Sequence, residues 1–73
     1  MVMELMRRFV LNRMSDVSGI SGTGYVACGV CFSDGLCVMR WTTETSSTVV
    51  YDSVVDLMEV HGHGGATVLI WLD

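Results

Sequence analysis

The sequence predicts a small α+β protein, with about five antiparallel strands in one curled sheet and one short helix packed on it. Three observations predict this class. Two apolar runs flank an Asp-Gly pair at 34–35, which is typical of an antiparallel hairpin. After Ser53 the hydrophobic period changes from two to helical spacing, and a final alternating run follows. The expected element order is β-β-β-β-α-β, in a single domain of residues 9–73 that follows a flexible N-terminal segment of residues 1–8.

The first predicted strand runs from Phe9 to Arg13, with Phe9 and Leu11 facing the core. Residues 13–24 form a predicted loop, because glycine, serine, threonine and aspartate are frequent there and favour turns. The central hairpin begins at Tyr25.

The hairpin joins the apolar runs at 25–32 and 36–41. A type I′ turn needs positive φ at both central residues, and Asp34 and Gly35 are expected to occupy those positions. On the predicted core face, Phe32 opposes Cys37, Val30 opposes Met39 and Cys28 opposes Trp41. On the other face, Cys31 opposes Val38, Gly29 opposes Arg40 and Ala27 opposes Thr42. A longer turn would shift this register by one residue and exchange the two faces.

The second half of the chain begins with a β-branched strand at Thr48–Tyr51. Ser53 and Asp56 resemble a capping box, and the apolar residues after Ser53 predict a helix of about two turns. Gly62 is expected to end that helix in the left-handed conformation. The last strand is predicted over residues 66–72.

The composition excludes several classes of function. Eight acidic residues stand against four basic ones, a net charge of −4, which argues against general nucleic-acid binding. A local basic patch formed by Arg7, Arg8 and Arg13 is compatible with this charge balance. The apolar runs are too short to span a bilayer, and the first residues lack the apolar core of a signal peptide. We therefore expect a cytoplasmic protein that does not bind membranes.

The three cysteines include a C-x2-C spacing at Cys28 and Cys31. Alternation along a strand sends these two side chains to opposite faces, whereas a zinc site needs its ligands to converge. We expect no metal and no cofactor. The cysteines, with Cys37, are interpreted as small buried apolar thiols, and a disulfide is not expected in a reducing cytoplasm.

Two glycine-rich loops are candidate binding segments for a ligand or partner. The first candidates are Ser18, Gly19, Ser21, Gly22 and Thr23. Backbone amides there could hold an anion, but a strand follows the loop where a nucleotide-binding motif needs a helix.

The second candidate loop is the dense His-Gly sequence at 61–65, with His61, His63 and Gly64 as its candidates. These histidines could bind a metal, act as a base or donate to a phosphate or peptide. The alternative is structural, because histidine and glycine both favour the end of a helix.

Arg40 is the last candidate, since it is the one charge within the hairpin strands. With Gly29 opposite, its guanidinium would have room above the sheet for a carboxylate or phosphate. The alternative is an ion pair with a surface acid. The aromatic residues Trp41, Tyr51 and Trp71 are interpreted as packing residues.

A combination of motifs resembles a family of small proteins from actinobacteria and their phages. The motifs are residues 16–24, Gly29-Val30, Phe32, Asp34-Gly35, Arg40-Trp41, Ser47-Thr48, Tyr51, residues 61–67 and Trp71. The resemblance implies a phage or prophage origin, and it implies no particular activity.

Three hypotheses of function follow. The first is a non-enzymatic phage accessory protein that binds a protein of the host or phage, with a homodimer through exposed strand edges as a further expectation. The second is a small protein that sequesters an anionic ligand or nucleotide with its two glycine-rich loops. The third, a hydrolase or nuclease that depends on His61 and His63, has less support because no catalytic set is evident in the sequence.

Overall fold

The computed structural model describes residues 6–15 and 23–73. The elements in those residues are β1 (Arg7–Arg13), β2 (Gly24–Cys31), β3 (Cys37–Trp41), β4 (Thr48–Tyr51), α1 (Val54–His61), a 3₁₀ turn (His63–Gly65) and β5 (Thr67–Trp71). The strands form one antiparallel sheet in the order β4-β3-β2-β1-β5. The predicted α+β class and element order are confirmed, although β1 begins at Arg7 and not at Phe9.

One face of the sheet, here called the inner face, carries the hydrophobic core. Leu57 of α1 is fully buried in it, and Val54 and Met58 pack against it. The buried strand residues are Phe9, Leu11, Val26, Ala27, Cys31, Cys37 and Met39. Phe9 and Leu11 face the core as predicted. Because α1 connects β4 and β5, the two edges of the sheet, the chain crosses the inner face between them.

The predicted register of the central hairpin is wrong by one residue. Cys31 opposes Cys37 and Gly29 opposes Met39. The turn is a three-residue loop: the amide of Gly35 donates to the Phe32 carbonyl (2.9 Å), and the Phe32 amide donates to the Leu36 carbonyl (2.9 Å). Of the two turn residues, only Gly35 has positive φ (101°). This geometry is a type I turn closed by a glycine bulge, which also suits an Asp-Gly pair.

The shift exchanges the faces of β2 and leaves those of β3 as predicted. Cys28 and Val30 point away from the core, and Ala27 and Cys31 point into it. Gly29 lies beneath the Phe9 ring, where a Cβ would lie 2.5 Å from Phe9 Cζ and would overlap a backbone carbonyl oxygen of β3. Glycine is therefore required at this position for close packing of β1 on β2.

The prediction of three free, buried thiols is also wrong. Cys31 and Cys37 form a disulfide across the hairpin, with their Cα atoms 4.2 Å apart, and Cys28 is an exposed free thiol. Directly opposed residues in a narrow antiparallel pair approach closely enough for such a bond. The register expected from a two-residue turn would have placed the two sulfurs on opposite faces.

A bulge in β2 interrupts its pairing with β1. The register between β1 and β2 shifts between Leu11 and Asn12, so that Leu11 opposes Ala27 but Asn12 opposes Tyr25. Val26 and Ala27 are consequently both buried, and Arg13 opposes Gly24. A bulge of this kind re-aims the side chains beyond it.

The helix begins as the sequence predicts and ends differently. The Ser53 side chain accepts a hydrogen bond from the Asp56 amide (3.1 Å), which confirms the N-cap. Gly62 has right-handed φ (−74°), so the predicted left-handed cap is wrong at that residue. The left-handed conformation comes one residue later, at His63 (φ 50°), and continues through Gly64 and Gly65.

No helix of the described residues is long and apolar enough to cross a membrane.

Replacing Gly29 by alanine is expected to lower the free energy of unfolding by about 2 kcal/mol or more, because the new methyl group overlaps Phe9 and the backbone of β3. Urea unfolding measures this change. Cys28→Ala, at the exposed neighbouring residue, is the control and should stay within about 0.5 kcal/mol of the parent. Equal stability of the two variants would contradict the close approach of β1 and β2.

The disulfide closes a short loop, and its loss is expected to destabilise the protein by about 2 kcal/mol. The measurement compares Cys28→Ser with a variant that also carries Cys31→Ser and Cys37→Ser, so that no free thiol can exchange. If both proteins unfold at the same urea concentration, the disulfide contributes nothing to stability.

Candidate functional site

Five side chains meet at one end of the inner face and are here called the Arg13 cluster: Arg13, Trp41, Tyr51, His61 and Thr67. Arg13 ends β1 and Trp41 ends β3, while Thr67 begins β5. The antiparallel pairing places these three residues at the same end of the sheet. Helix α1 begins at the opposite end, and its last residue, His61, lies at this end.

Arg13 is the central cation of the cluster and is only 5% exposed. Its Nε donates to the Thr67 hydroxyl (3.3 Å), which lies directly across the β1–β5 pair. Its guanidinium carbon lies 5.9 Å from the centre of the Trp41 ring, within the range of a cation–π interaction. A buried cation is costly unless it is paired, and Arg13 forms no salt bridge with a carboxylate of residues 6–15 or 23–73.

His61 is held between two aromatic residues. Its Nε2 lies 3.0 Å from the Tyr51 hydroxyl, and its ring packs edge-on against Trp41 with centroids 5.0 Å apart. Burial lowers the pKa of His61 from its usual 6.5, and the positive charges of His63 and Arg13 lower it further. The imidazole is therefore neutral at pH 7.

The second candidate surface is the face of the sheet opposite the core, here called the outer face. It exposes apolar side chains from all five strands, namely Val10, Tyr25, Cys28, Val30, Val38, Val50, Val68 and Ile70. Val50 is 60% exposed and Tyr25 68%. An antiparallel sheet that faces water on one side normally alternates apolar and polar residues, but this one carries mostly β-branched residues on its outer face as well as an apolar core on its inner face.

Arg40 lies on the outer face, opposite Cys28 and Thr48, and not over Gly29 as predicted. Its two terminal nitrogens donate to the hydroxyls of Thr48 and Ser46, each at 2.8 Å. The expected alternative, an ion pair with a surface acid, is absent among the described residues. The two hydroxyl groups hold the guanidinium in place, and no carboxylate of the described residues pairs with its charge.

Arg7, Arg8 and Arg13, which the composition allowed to form a local basic patch, do not lie together on one surface. Arg8 points to the outer face and pairs with Asp73 (2.7 Å), whereas Arg13 is buried on the inner face. The hydrogen bonds from Arg8 lower the pKa of Asp73 to about 2. Arg7 packs over the Trp71 ring at 3.8 Å.

The structure brings together only part of the residues predicted from the two glycine-rich loops. Ser18, Gly19, Ser21 and Gly22 lie outside the described residues. Thr23 is exposed immediately before β2, and His63 and Gly64 are exposed in the turn that follows α1.

The two described ends of the first loop lie next to the second loop. The amides of Met14 and Ser15 donate to the Ala66 carbonyl (2.7 and 3.4 Å), and Gly24 pairs with Arg13. Arg40 belongs to the other face of the sheet and joins neither loop.

Sequence reasoning missed Arg13 as a site residue because it treated that position as the start of a loop. The signal was available in the strand predicted from Phe9, since Phe9, Leu11 and Arg13 share one face by alternation. An arginine at the third inward position of a strand is a buried cation by that rule.

The lowered pKa of His61 predicts how stability depends on pH. The unfolded chain takes up a proton at His61 more readily than the folded chain, so the free energy of unfolding should fall as pH drops through about 6.5. Urea unfolding between about pH 7.5 and about pH 5.5 measures the slope, and His61→Phe should flatten it. An NMR titration that places the His61 pKa at or above 6.5 would contradict the geometry.

One protein-family model matches residues 6–73, and its description is Acb5 phage protein. No curated protein and no solved structure matches the chain.

Proposed function

The chain belongs to the Acb5 phage protein family, and we propose that it is a non-enzymatic accessory protein that binds a protein of the infected host through its outer face. The proposal places it in the host cytoplasm, and the sequence resemblance extends it to phages of actinobacteria. The observation that carries it is the apolar face of the sheet, which no element of the described residues covers.

The outer face has the composition of a binding surface. Val50, Val38 and Val30 lie side by side across β4, β3 and β2, and Cys28, Val10 and Ile70 continue the patch across β2, β1 and β5. A contiguous apolar patch of this extent on a small protein marks an interaction site, because its contact with water is unfavourable. Burying it against a partner removes that cost.

Charge favours a different protein over a second copy. Arg40 lies on the outer face and pairs with no carboxylate of the described residues, and Asp73 is already paired with Arg8. If a second copy bound to this face through its own outer face, two Arg40 side chains would meet. Among the described residues, the second copy would offer no unpaired carboxylate on that face. The partner that fits has an apolar surface and one acidic side chain opposite Arg40.

The disulfide is compatible with this location, because Cys31 and Cys37 are buried and so shielded from reductants. Cys28, in contrast, is exposed in the middle of the outer face. Its thiol reports directly on whether that face is covered.

Val50→Glu is expected to abolish binding of the partner, since it places a carboxylate in the apolar patch. Val55→Glu is the matched control: Val55 is 63% exposed against 60% for Val50, and it lies on α1, on the other side of the sheet. Pull-down from lysate of the natural host, followed by native mass spectrometry, identifies a stoichiometric partner that the parent and Val55→Glu retain and Val50→Glu loses.

Protection of Cys28 from alkylation in the purified complex provides the second readout. The proposal fails if Val55→Glu loses the partner and Val50→Glu retains it, or if Cys28 stays reactive in the complex. A homodimer of the purified chain that protects Cys28 without any partner would show that the outer face binds a second copy.

A further inference from the structure

The edge of the sheet at β5 has a feature that neither face explains. Beyond β5, no strand of residues 6–15 or 23–73 continues the sheet. Natural sheets protect an open edge with charged residues, proline, a bulge or a short strand, because unpaired backbone groups there bind another strand. Residues 68–72, Val-Leu-Ile-Trp-Leu, carry no charge and no proline, and the pairing of β5 with β1 is regular. This edge is therefore an apolar strand without the usual protection.

The hydrogen bonds to β1 show which backbone groups of β5 face the open edge. The Leu72 amide donates to the Arg8 carbonyl at 2.8 Å. Hydrogen-bonded and non-hydrogen-bonded pairs alternate along an antiparallel pair of strands. Ile70, two residues before Leu72, therefore also bonds to β1. The backbone amides and carbonyls of Leu69 and Trp71 point away from β1, towards the open edge.

The other edge of the sheet is built differently. β4 has four residues, and polar residues flank it on both sides: Ser-Ser at 46–47 and Asp-Ser at 52–53. A short edge strand offers few unpaired backbone groups to a further strand. Addition of a strand is therefore favoured at β5 and not at β4.

We propose that β5 pairs antiparallel with β5 of a second copy, in a two-fold dimer that joins the two five-stranded sheets into one. The register follows from the outward backbone groups. Leu69 of each copy exchanges its amide and carbonyl hydrogen bonds with Trp71 of the other copy. The two-fold axis then passes between the two Ile70 residues, which form a non-hydrogen-bonded pair.

The neighbouring register is less favourable. If Leu69 opposed Leu69 of the other copy, Trp71 would oppose Thr67. The Thr67 amide already donates to the Gly62 carbonyl at 3.0 Å, so it has no hydrogen bond to give to Trp71. The register centred on Ile70 uses only groups that point to the open edge.

The side chains of β5 match one another in the proposed register. On the outer face, Ile70 meets Ile70 of the other copy, and Val68 meets Leu72 on each side of the axis. These three side chains are 37%, 38% and 54% exposed. On the inner face, Leu69 meets Trp71. Cross-strand pairs of apolar and aromatic residues stabilise antiparallel sheets, and no pair in this register brings like charges together.

The dimer has a consequence for the outer face. Because the two-fold axis is perpendicular to the sheet, both outer faces lie on the same side of the dimer. Two copies of the surface proposed for the host protein then lie side by side, and this consequence alone rests on the proposed function. The pairing of β5 leaves Cys28, on β2, exposed.

Disulfide cross-linking at the two-fold axis tests the register. Opposed residues of a non-hydrogen-bonded pair have Cα atoms about 4.5 Å apart, which is close enough for a disulfide. In a Cys28→Ser background, Ile70→Cys should form a covalent dimer on mild oxidation, and Val50→Cys on β4 should not. Val50 is 60% exposed against 37% for Ile70, so random collision would favour the control. Equal cross-linking of both variants, or none with Ile70→Cys, would overturn the proposal.

Sedimentation equilibrium measures the dimer without a cross-link. Ile70→Lys brings two lysines together at the two-fold axis and should raise the dissociation constant at least about tenfold. Val50→Lys makes the same change on β4 and should dimerise as the parent does, and so should Val50→Glu. A parent that stays monomeric up to about 1 mM, or equal dissociation constants for the two lysine variants, would contradict the pairing of β5.

Amide hydrogen exchange of the parent gives a readout that needs no variant. As the protein concentration rises, the amides of Leu69 and Trp71 should become protected. The Val50 amide, which by the same alternation points away from β3, should continue to exchange rapidly. A dimer in which all three amides exchange equally fast, or in which Cys28 is protected from alkylation, would be held by another surface and would overturn the proposal. Loss of the host partner from Val50→Glu that still dimerises separates the two proposals.

Discussion

The register of one hairpin determines the rest of this structure. The three-residue turn at 33–35 places Cys31 opposite Cys37 and thereby decides which side chains of β2 enter the core. Because the side-chain period of a strand is two, a slip of one residue would turn Cys31 outward and Val30 inward. The disulfide and the closely packed Gly29 both depend on this register, and together they make the alternative costly.

The same register separates two surfaces with different chemistry. On the inner face, α1 covers the core and stops at His61, so the end of the sheet retains Arg13 and its polar neighbours. No helix of residues 6–15 or 23–73 covers the outer face, which carries apolar side chains from all five strands. Among the described residues of this 73-residue chain, one α-helix covers one face of the sheet, and the other face is the surface that we propose for a partner.

The sequence was sufficient for the architecture and insufficient for the register. Alternation placed Phe9 and Leu11 correctly, and Ser53 identified the start of α1, because both signals are local. The Asp-Gly pair was ambiguous: it suits a two-residue turn and a three-residue turn equally, and the choice depends on packing between strands. The position of the left-handed residue at the end of α1 was ambiguous in a similar way. The three residues after Gly62 all have positive φ, whereas Gly62 does not.

The candidate site was predicted in part. His61 was selected from its loop, but its contacts with Tyr51 and Trp41 arise from three elements distant in the sequence. Arg13 was missed although alternation indicated it, and the bulge in β2 that places Gly24 opposite it has no clear sequence signal. The outer face could not be recognised until the faces of β2 were known.

The measurement that tests the register most directly is a two-dimensional NOE spectrum of the labelled protein in its oxidised state. In a narrow antiparallel pair the α-hydrogens of opposed residues lie close together. The structure predicts strong Hα–Hα cross-peaks between Cys31 and Cys37 and between Gly29 and Met39. Cross-peaks that instead pair Val30 with Met39 and Cys28 with Trp41 would contradict it, and would exchange the residues of the inner and outer faces on β2.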